Sequence, residues 1–136
     1  MAHDTPQNPL PANAAKHCVL LVEDNYFAMD VMRIFLKQQG FAVESAENGQ
    51  VAVSMYLQSP ARYAAIFMDL QMPVMSGYEA TERIRQSGCT GAQKLPIVAM
   101  SGEPLNNLCE RGFTAQLHKP FKLHALLPLL TELLGH

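Results

Sequence analysis

The sequence predicts an α/β fold in which helices cover both faces of a parallel sheet. Three observations carry that prediction. Five apolar runs, each too short for a helix, recur along the chain: CVLLVE from Cys18, FAVESA from Phe41, YAAIFMD from Tyr63, LPIVAM from Leu95 and AQLHK from Ala115. Stretches with apolar residues at helical spacing separate most of them. Buried strands that alternate with helices imply a parallel sheet, because each parallel pair needs a crossover that then covers a face.

Residues 1–16 hold Pro6, Pro9 and Pro11 and, apart from Met1, a single large apolar residue, Leu10. Such a stretch buries too little surface to offset its ordering entropy, so it is expected to be a disordered leader or linker ahead of a folded domain at 17–136. After the first run, Phe27, Val31, Ile34 and Phe35 recur at helical spacing, and Gly40 supplies a stop. NGQVAVSMYLQ reads as the second helix until Ser59 and Pro60, and a third runs from Tyr78 to Gln86. Between the fourth and fifth runs there is only a short polar-flanked segment around Leu105 to Arg111. A last helix is expected from Lys122 to Leu134. On a helical wheel Leu123, Leu126, Leu127, Leu129, Leu130, Leu133 and Leu134 fall within roughly 160° of arc. Pro128 sits on the polar side, removes an interior hydrogen bond and is expected to bend this helix.

Composition sets the bounds. A chain of 136 residues suits one domain, and 49% hydrophobic against 16% charged residues is enough to build a core. Ten basic and twelve acidic residues give a net charge of −2, which argues against a dedicated binder of nucleic acid or of an anionic membrane surface. Cys18, Cys89 and Cys109 form no CxxC pair, so neither a disulfide scaffold nor a standard zinc site is expected, and a reducing, cytoplasmic setting fits. No apolar run approaches the roughly 20 residues that span a bilayer, and the first residues lack the pattern of a signal peptide.

Ligands of open α/β sheets bind at the carboxyl ends of the strands, so the residues that end the apolar runs are the informative ones. These are Glu23 and Asp24, Asp69, Ser101 and Lys119. Two carboxylates about 5 Å apart repel by about 3 kcal/mol at an effective dielectric near 20, and three repel more. A hard divalent cation relieves the repulsion, and a set of oxygen donors selects Mg²⁺ (or Mn²⁺) over zinc. With Lys119 included, the formal charges then cancel. A neutral, polarised oxygen pocket suits a phosphoryl group, whose transfer depends mostly on positioning and charge stabilisation.

LVEDN, IFMDLQMPVMSGYEA, VAMSG and LHKPF, in this order and spacing, resemble the receiver domain of two-component response regulators over about residues 17–135. The resemblance implies a flavodoxin-like (βα)5 three-layer sandwich with strand order 2-1-3-4-5, and an aspartyl phosphate formed from a phosphohistidine. A histidine kinase or a histidine phosphotransfer protein would be the donor, and a further protein, unidentified, would read the signal. No nucleic acid or membrane would be bound directly, and the domain would be a monomer or weak dimer. By the same resemblance Asp69 is the phosphoacceptor. Glu23, Asp24 and Asp69 hold the metal with the main-chain carbonyl of Gln71. Ser101 and Lys119 contact phosphoryl oxygens, the Lys119–Pro120 peptide is cis, and Gly77 allows a tight turn after Pro73. Gln71 and Glu103 flank the path of the hydrolytic water and so tune the phosphoryl lifetime.

Two departures from that family fall on the face that most receivers use to signal. Gln116 stands where an aromatic residue usually rotates inward. The interval from Ser101 to Lys119 is about four residues short, roughly one helical turn, so a shortened fourth helix is expected. Output is therefore expected not to follow the usual coupling of serine to aromatic, with little change around Gln116. The blander readings have their own arguments. A lone Asp69 could cap a turn and a lone Lys119 could be a surface charge, but the combined set favours a site. His118 and His124 lie on different elements and read as ordinary histidines. Met68, Met72, Met75 and Met100 read as packing, and the cysteines as plain thiols. A haloacid-dehalogenase-type phosphatase would need an Asp where Gln71 stands, and a flavin carrier would need a small-residue phosphate loop where EDNYFAM stands. A non-phosphorylated interaction module on the same fold is the remaining alternative. The domain could stand alone or form part of a hybrid histidine kinase.

Overall fold

A computed structural model describes residues 18–134, so the leader expected at 1–16 lies outside the described residues. The order is β1 (Cys18–Val22), α1 (Tyr26–Gln38), β2 (Ala42–Ala46), α2 (Gly49–Gln58), β3 (Tyr63–Asp69), α3 (Gly77–Arg85), β4 (Ile97–Ser101), β5 (Ala115–His118) and α4 (Leu126–Leu133). Short 3₁₀ turns precede β3 at Pro60–Arg62 and α4 at Leu123–Ala125. All strand pairs are parallel and the order across the sheet is β2-β1-β3-β4-β5, as the resemblance implies.

Alternation along the strands sorts the core into two layers. Leu20, Val22, Ile66, Met68, Ile97 and Ala99 face α2 and α3, where Ala52, Tyr56, Ala80 and Ile84 meet them. Val19, Leu21, Ala65, Phe67, Val98 and Met100 face α1 and α4 and meet Met32, Leu36, Leu126 and Leu130. Strands β1 and β4 are buried on both faces, which is why their sequences read as unbroken apolar runs. The helices begin at side-chain caps that fill otherwise unmet N–H groups. Asn25 accepts from the Ala28 amide at 2.9 Å, Asn48 from Val51 at 2.9 Å and Ser76 from Glu79 at 3.2 Å.

Three sequence expectations need correction. In α1 the buried face is Met29, Met32 and Leu36, whereas Phe27 is 79% and Ile34 50% exposed. YFAMDVMRIFLKQ is apolar on more than one side, so periodicity alone admits two rotations, and packing against β1 and β2 selects one. The fourth helix is not merely shortened: among the described residues no helix separates β4 from β5. What remains is one turn closed by Arg111 N–H to Asn107 O at 3.1 Å and Phe113 N–H to Leu108 O at 3.0 Å. Pro104 supplies no donor ahead of that turn, and Gly112, at φ 94°, ends it. Buried Phe113 fills the space, set edge-on to Tyr78 with ring centroids 6.0 Å apart.

The last helix is also divided. The 3₁₀ turn at Leu123–Ala125 passes into α4, and Pro128 is the third residue of α4 rather than an interior one. In a first turn the missing N–H has no helical acceptor to lose, so Pro128 starts the α-helix instead of bending it. In the loop after β3 the left-handed residue is Val74, at φ 70°, and Gly77 closes the loop with its N–H on Leu70 O at 3.3 Å. What Gly77 supplies there is close approach. A Cβ there would stand 2.2 Å from the Asp69 carbonyl oxygen and 2.8 Å from Met68 Cγ. Only glycine lets α3 begin against the end of β3.

Candidate functional site

The carboxyl ends of β1, β3, β4 and β5 bring the expected residues to one edge of the sheet. Glu23 follows β1 directly, and its N–H extends the ladder to Ala46 O at 3.1 Å. Its side chain is 3% exposed. Oε1 accepts from Lys119 Nζ at 2.9 Å and Oε2 from the Asn25 amide at 3.2 Å. Asp69 closes β3 with a buried side chain. Its Oδ1 accepts from the Gln71 amide at 3.1 Å, and its Oδ2 lies 3.4 Å from Lys119 Nζ. Asp24 is exposed, yet it offers an oxygen to the same cluster: one ligand atom each from Glu23, Asp24 and Asp69 lie within 4.8 Å of one another.

Ser101 ends β4 and is buried. Its hydroxyl donates to the Glu103 carbonyl at 2.9 Å and accepts from the Glu103 amide at 3.0 Å. The Glu103 carbonyl also accepts from Gln116 Nε2 at 3.0 Å. Lys119 follows β5, its N–H bonded to Ser101 O at 2.7 Å, and the Lys119–Pro120 peptide is cis. Glu23, Asp24, Asp69, Ser101 and Lys119 are thus one constellation, with Glu103 and Gln116 joined to it through Ser101. For Gln71 the contact seen is its amide on Asp69, not its carbonyl.

Electrostatics explain the arrangement. Burial pushes the Glu23 carboxyl above its ordinary range; the Lys119 hydrogen bond opposes that shift, and the charge of Asp69 adds to it. Burial alone would lower Lys119, but its bond to Glu23 and the charges of Asp69 and Glu23 outweigh it, so the ammonium is held more firmly protonated than usual. One cation among three acids leaves an excess of negative charge. A pair of carboxylates under 5 Å apart still repels by about 3 kcal/mol at an effective dielectric near 20. Clustered, oxygen-only donors with uncompensated charge fit a hard divalent cation.

Sequence reasoning missed Asn25, which both caps α1 and supplies an amide to Glu23. The signal was present, since an asparagine between an acidic pair and an apolar helix is a cap. It also missed a groove of about 610 Å³ beside the acids, lined by Glu23, Phe27, Val31, Lys119, Pro120 and Phe121 among others. The residues set aside stay aside: His118 and His124 are exposed and on separate elements, and Met68, Met75 and Met100 are buried. Cys18, Cys89 and Cys109 are free thiols. No helix is long and apolar enough to cross a membrane among the described residues.

Comparison with known proteins gives one answer. A family model for the response regulator receiver domain matches residues 19–131. Two-component system protein A of Emericella nidulans is 39% identical over 125 residues, 88% of this chain and 18% of that protein, so the chain spans under a fifth of this curated relative. The receiver domain of a sensor histidine kinase from Pseudomonas aeruginosa, solved with a magnesium ion coordinated in its active-site cleft, superposes with a TM-score of 0.77 at 33% identity, covering 88% of this chain and 98% of that one. A Saccharomyces cerevisiae co-crystal holds a histidine phosphotransfer signalling protein and the receiver domain of its downstream response regulator. It matches with a TM-score of 0.75 at 32% identity, over 86% of this chain and 88% of that one.

Proposed function

The chain belongs to the response regulator receiver domain family, and from that premise we propose that Asp69 is its phosphoacceptor, taking a phosphoryl group from a phosphohistidine on a partner protein. The observation that carries this reading is the meeting of three carboxylates within 4.8 Å with the Lys119 ammonium 3.4 Å from Asp69 Oδ2. An Asp69 oxygen attacks phosphorus in line, the P–N bond breaks, and the imidazole leaves with the electron pair and takes a proton. Lys119 stabilises charge on the transferred oxygens, and Ser101 donates to one of them. Its pair with Glu23 holds the ammonium at the pocket before the donor arrives. Mg²⁺, held by Glu23, Asp24, Asp69 and the Gln71 carbonyl, would withdraw charge from the phosphoryl oxygens when bound; Mn²⁺ takes the same donors. Hydrolysis of the acyl phosphate resets the domain, and Gln71 and Glu103 tune its rate.

The domain is a signalling switch rather than an enzyme of small-molecule metabolism, and it acts in the cytoplasm through protein contacts. A histidine kinase or histidine phosphotransfer protein is its donor, a role supported by the yeast complex. It is a monomer or weak dimer, and it binds neither nucleic acid nor membrane directly. The receiver domain is assigned to residues 17–136, either a stand-alone regulator or a segment of a hybrid kinase. A non-phosphorylated interaction module would have no use for a full set of acids, serine and lysine assembled at one edge. Intact mass after incubation with acetyl phosphate tests the chemistry. A single Mg²⁺-dependent phosphoryl adduct is expected, absent from Asp69→Asn, and an adduct that persists in that variant overturns the assignment.

A further inference from the structure

Resting on the phosphoacceptor reading, we propose that Gln116 is a positioning residue for Ser101, acting through the main-chain carbonyl of Glu103. The Ser101 hydroxyl has one proton, and in this structure it is given to Glu103 O at 2.9 Å. To donate to a phosphoryl oxygen on Asp69 the hydroxyl must leave that carbonyl. Glu103 O would then keep one protein donor, Gln116 Nε2, at 3.0 Å. Gln116 lies on β5 opposite Ala99 of β4, so the amide reaches the 101–103 turn from the neighbouring strand. The Glu103 amide bond to Ser101 Oγ is compatible with either direction of the hydroxyl.

The consequence is a donor exchange at a fixed turn. Gln116 holds the Glu103 carbonyl in place and occupied while Ser101 rotates its O–H toward the phosphoryl group, so the rotation leaves no carbonyl without a protein partner. An amide at position 116 thus couples β5 to the site by a hydrogen bond.

The test is a double-mutant cycle on beryllofluoride binding in the presence of Mg²⁺, read by titration, with Mg²⁺ affinity alone and melting temperature as controls. Gln116→Glu and Gln116→Leu each remove the donor and are expected to weaken beryllofluoride binding roughly three- to tenfold, the worth of one hydrogen bond. Mg²⁺ affinity should not change, because Ser101 is not among the metal-binding acids. In a Ser101→Ala background the same substitutions should have no effect. If the wild-type protein fails to bind beryllofluoride, the phosphoacceptor reading itself falls. If it binds and either variant matches it, or if the loss persists without Ser101, the role of Gln116 is refuted while that reading stands.

Discussion

Tyr63 and Glu44 show how a residue far from the site contributes a pH-dependent part of stability. The buried Tyr63 hydroxyl donates to Glu44 Oε1 at 2.6 Å across β3 and β2, and Arg62 pairs with the other oxygen. The tyrosine bond, and secondarily Arg62, hold the Glu44 carboxyl below its ordinary range against a smaller opposing effect of burial. A depressed carboxylate stabilises the fold above its unfolded pKa, and that contribution vanishes as pH falls through the folded one. Tyr63→Phe should therefore cost about 1 kcal/mol at neutral pH and progressively less below the ordinary carboxylate range. Denaturant melts of both proteins across that range check the prediction, and a constant difference would contradict it. Neither partner was legible as such, since they sit 19 residues apart and meet only through strand register. Asp69 and Lys119 were legible because each ends an apolar run. Gly77 was legible as special, but its reason, a Cβ 2.2 Å from the Asp69 carbonyl, needed coordinates.

At the level of elements, β3 was read to the residue, and α2 was read because Asn48 and Pro60 bracket it. The misreadings were of orientation and absence. Spacing finds a helix but not its rotation when two faces are apolar, as in α1, and nothing local marks a connection too short to hold a helix as helix-free. The rotation of α1 leaves Phe27 and Ile34 outward, and Phe27 and Val31 line the groove that shares Glu23 and Lys119 with the site. If a phosphohistidine donor brings phosphorus to Asp69 across this groove, the prediction is that the apolar face of α1 contributes to its docking. Phe27→Ala with Ile34→Ala should slow transfer from such a donor about tenfold, the scale of an interface anchor. Phosphorylation by acetyl phosphate should stay within about twofold, and stability should be little changed because neither side chain is buried. Rate assays with the two donors side by side decide the matter, and equal slowing with both would refute it.

The whole molecule is a sheet whose one edge concentrates negative charge that the fold alone does not neutralise. Burial raises Glu23, so ionising that carboxyl works against folding, and Lys119 offsets only part of the cost. Mg²⁺ at a hundredfold excess over its Kd should add about 2.7 kcal/mol of stability. In a domain of this size that is on the order of 10 °C in Tm. The gain should fall in Asp24→Asn, whose exposed carboxylate contributes to the cluster without a fold contact to lose; thermal melts with and without Mg²⁺ would contradict this if they coincide. Sheet order and the converging edge followed from alternating runs together with the motif resemblance, while the bond from Gln116 to Glu103 depends on a turn that no pattern encodes. The central claim is that Asp69 receives a phosphoryl group from histidine. The most direct measurement follows label from a phosphohistidine-loaded phosphotransfer domain to this chain, with Mg²⁺ present, beside Asp69→Asn. The account predicts rapid transfer to the wild-type chain, recovered on the peptide that carries Asp69, and none to the variant. Label that stays on the donor with both proteins, or reaches both equally, would contradict it.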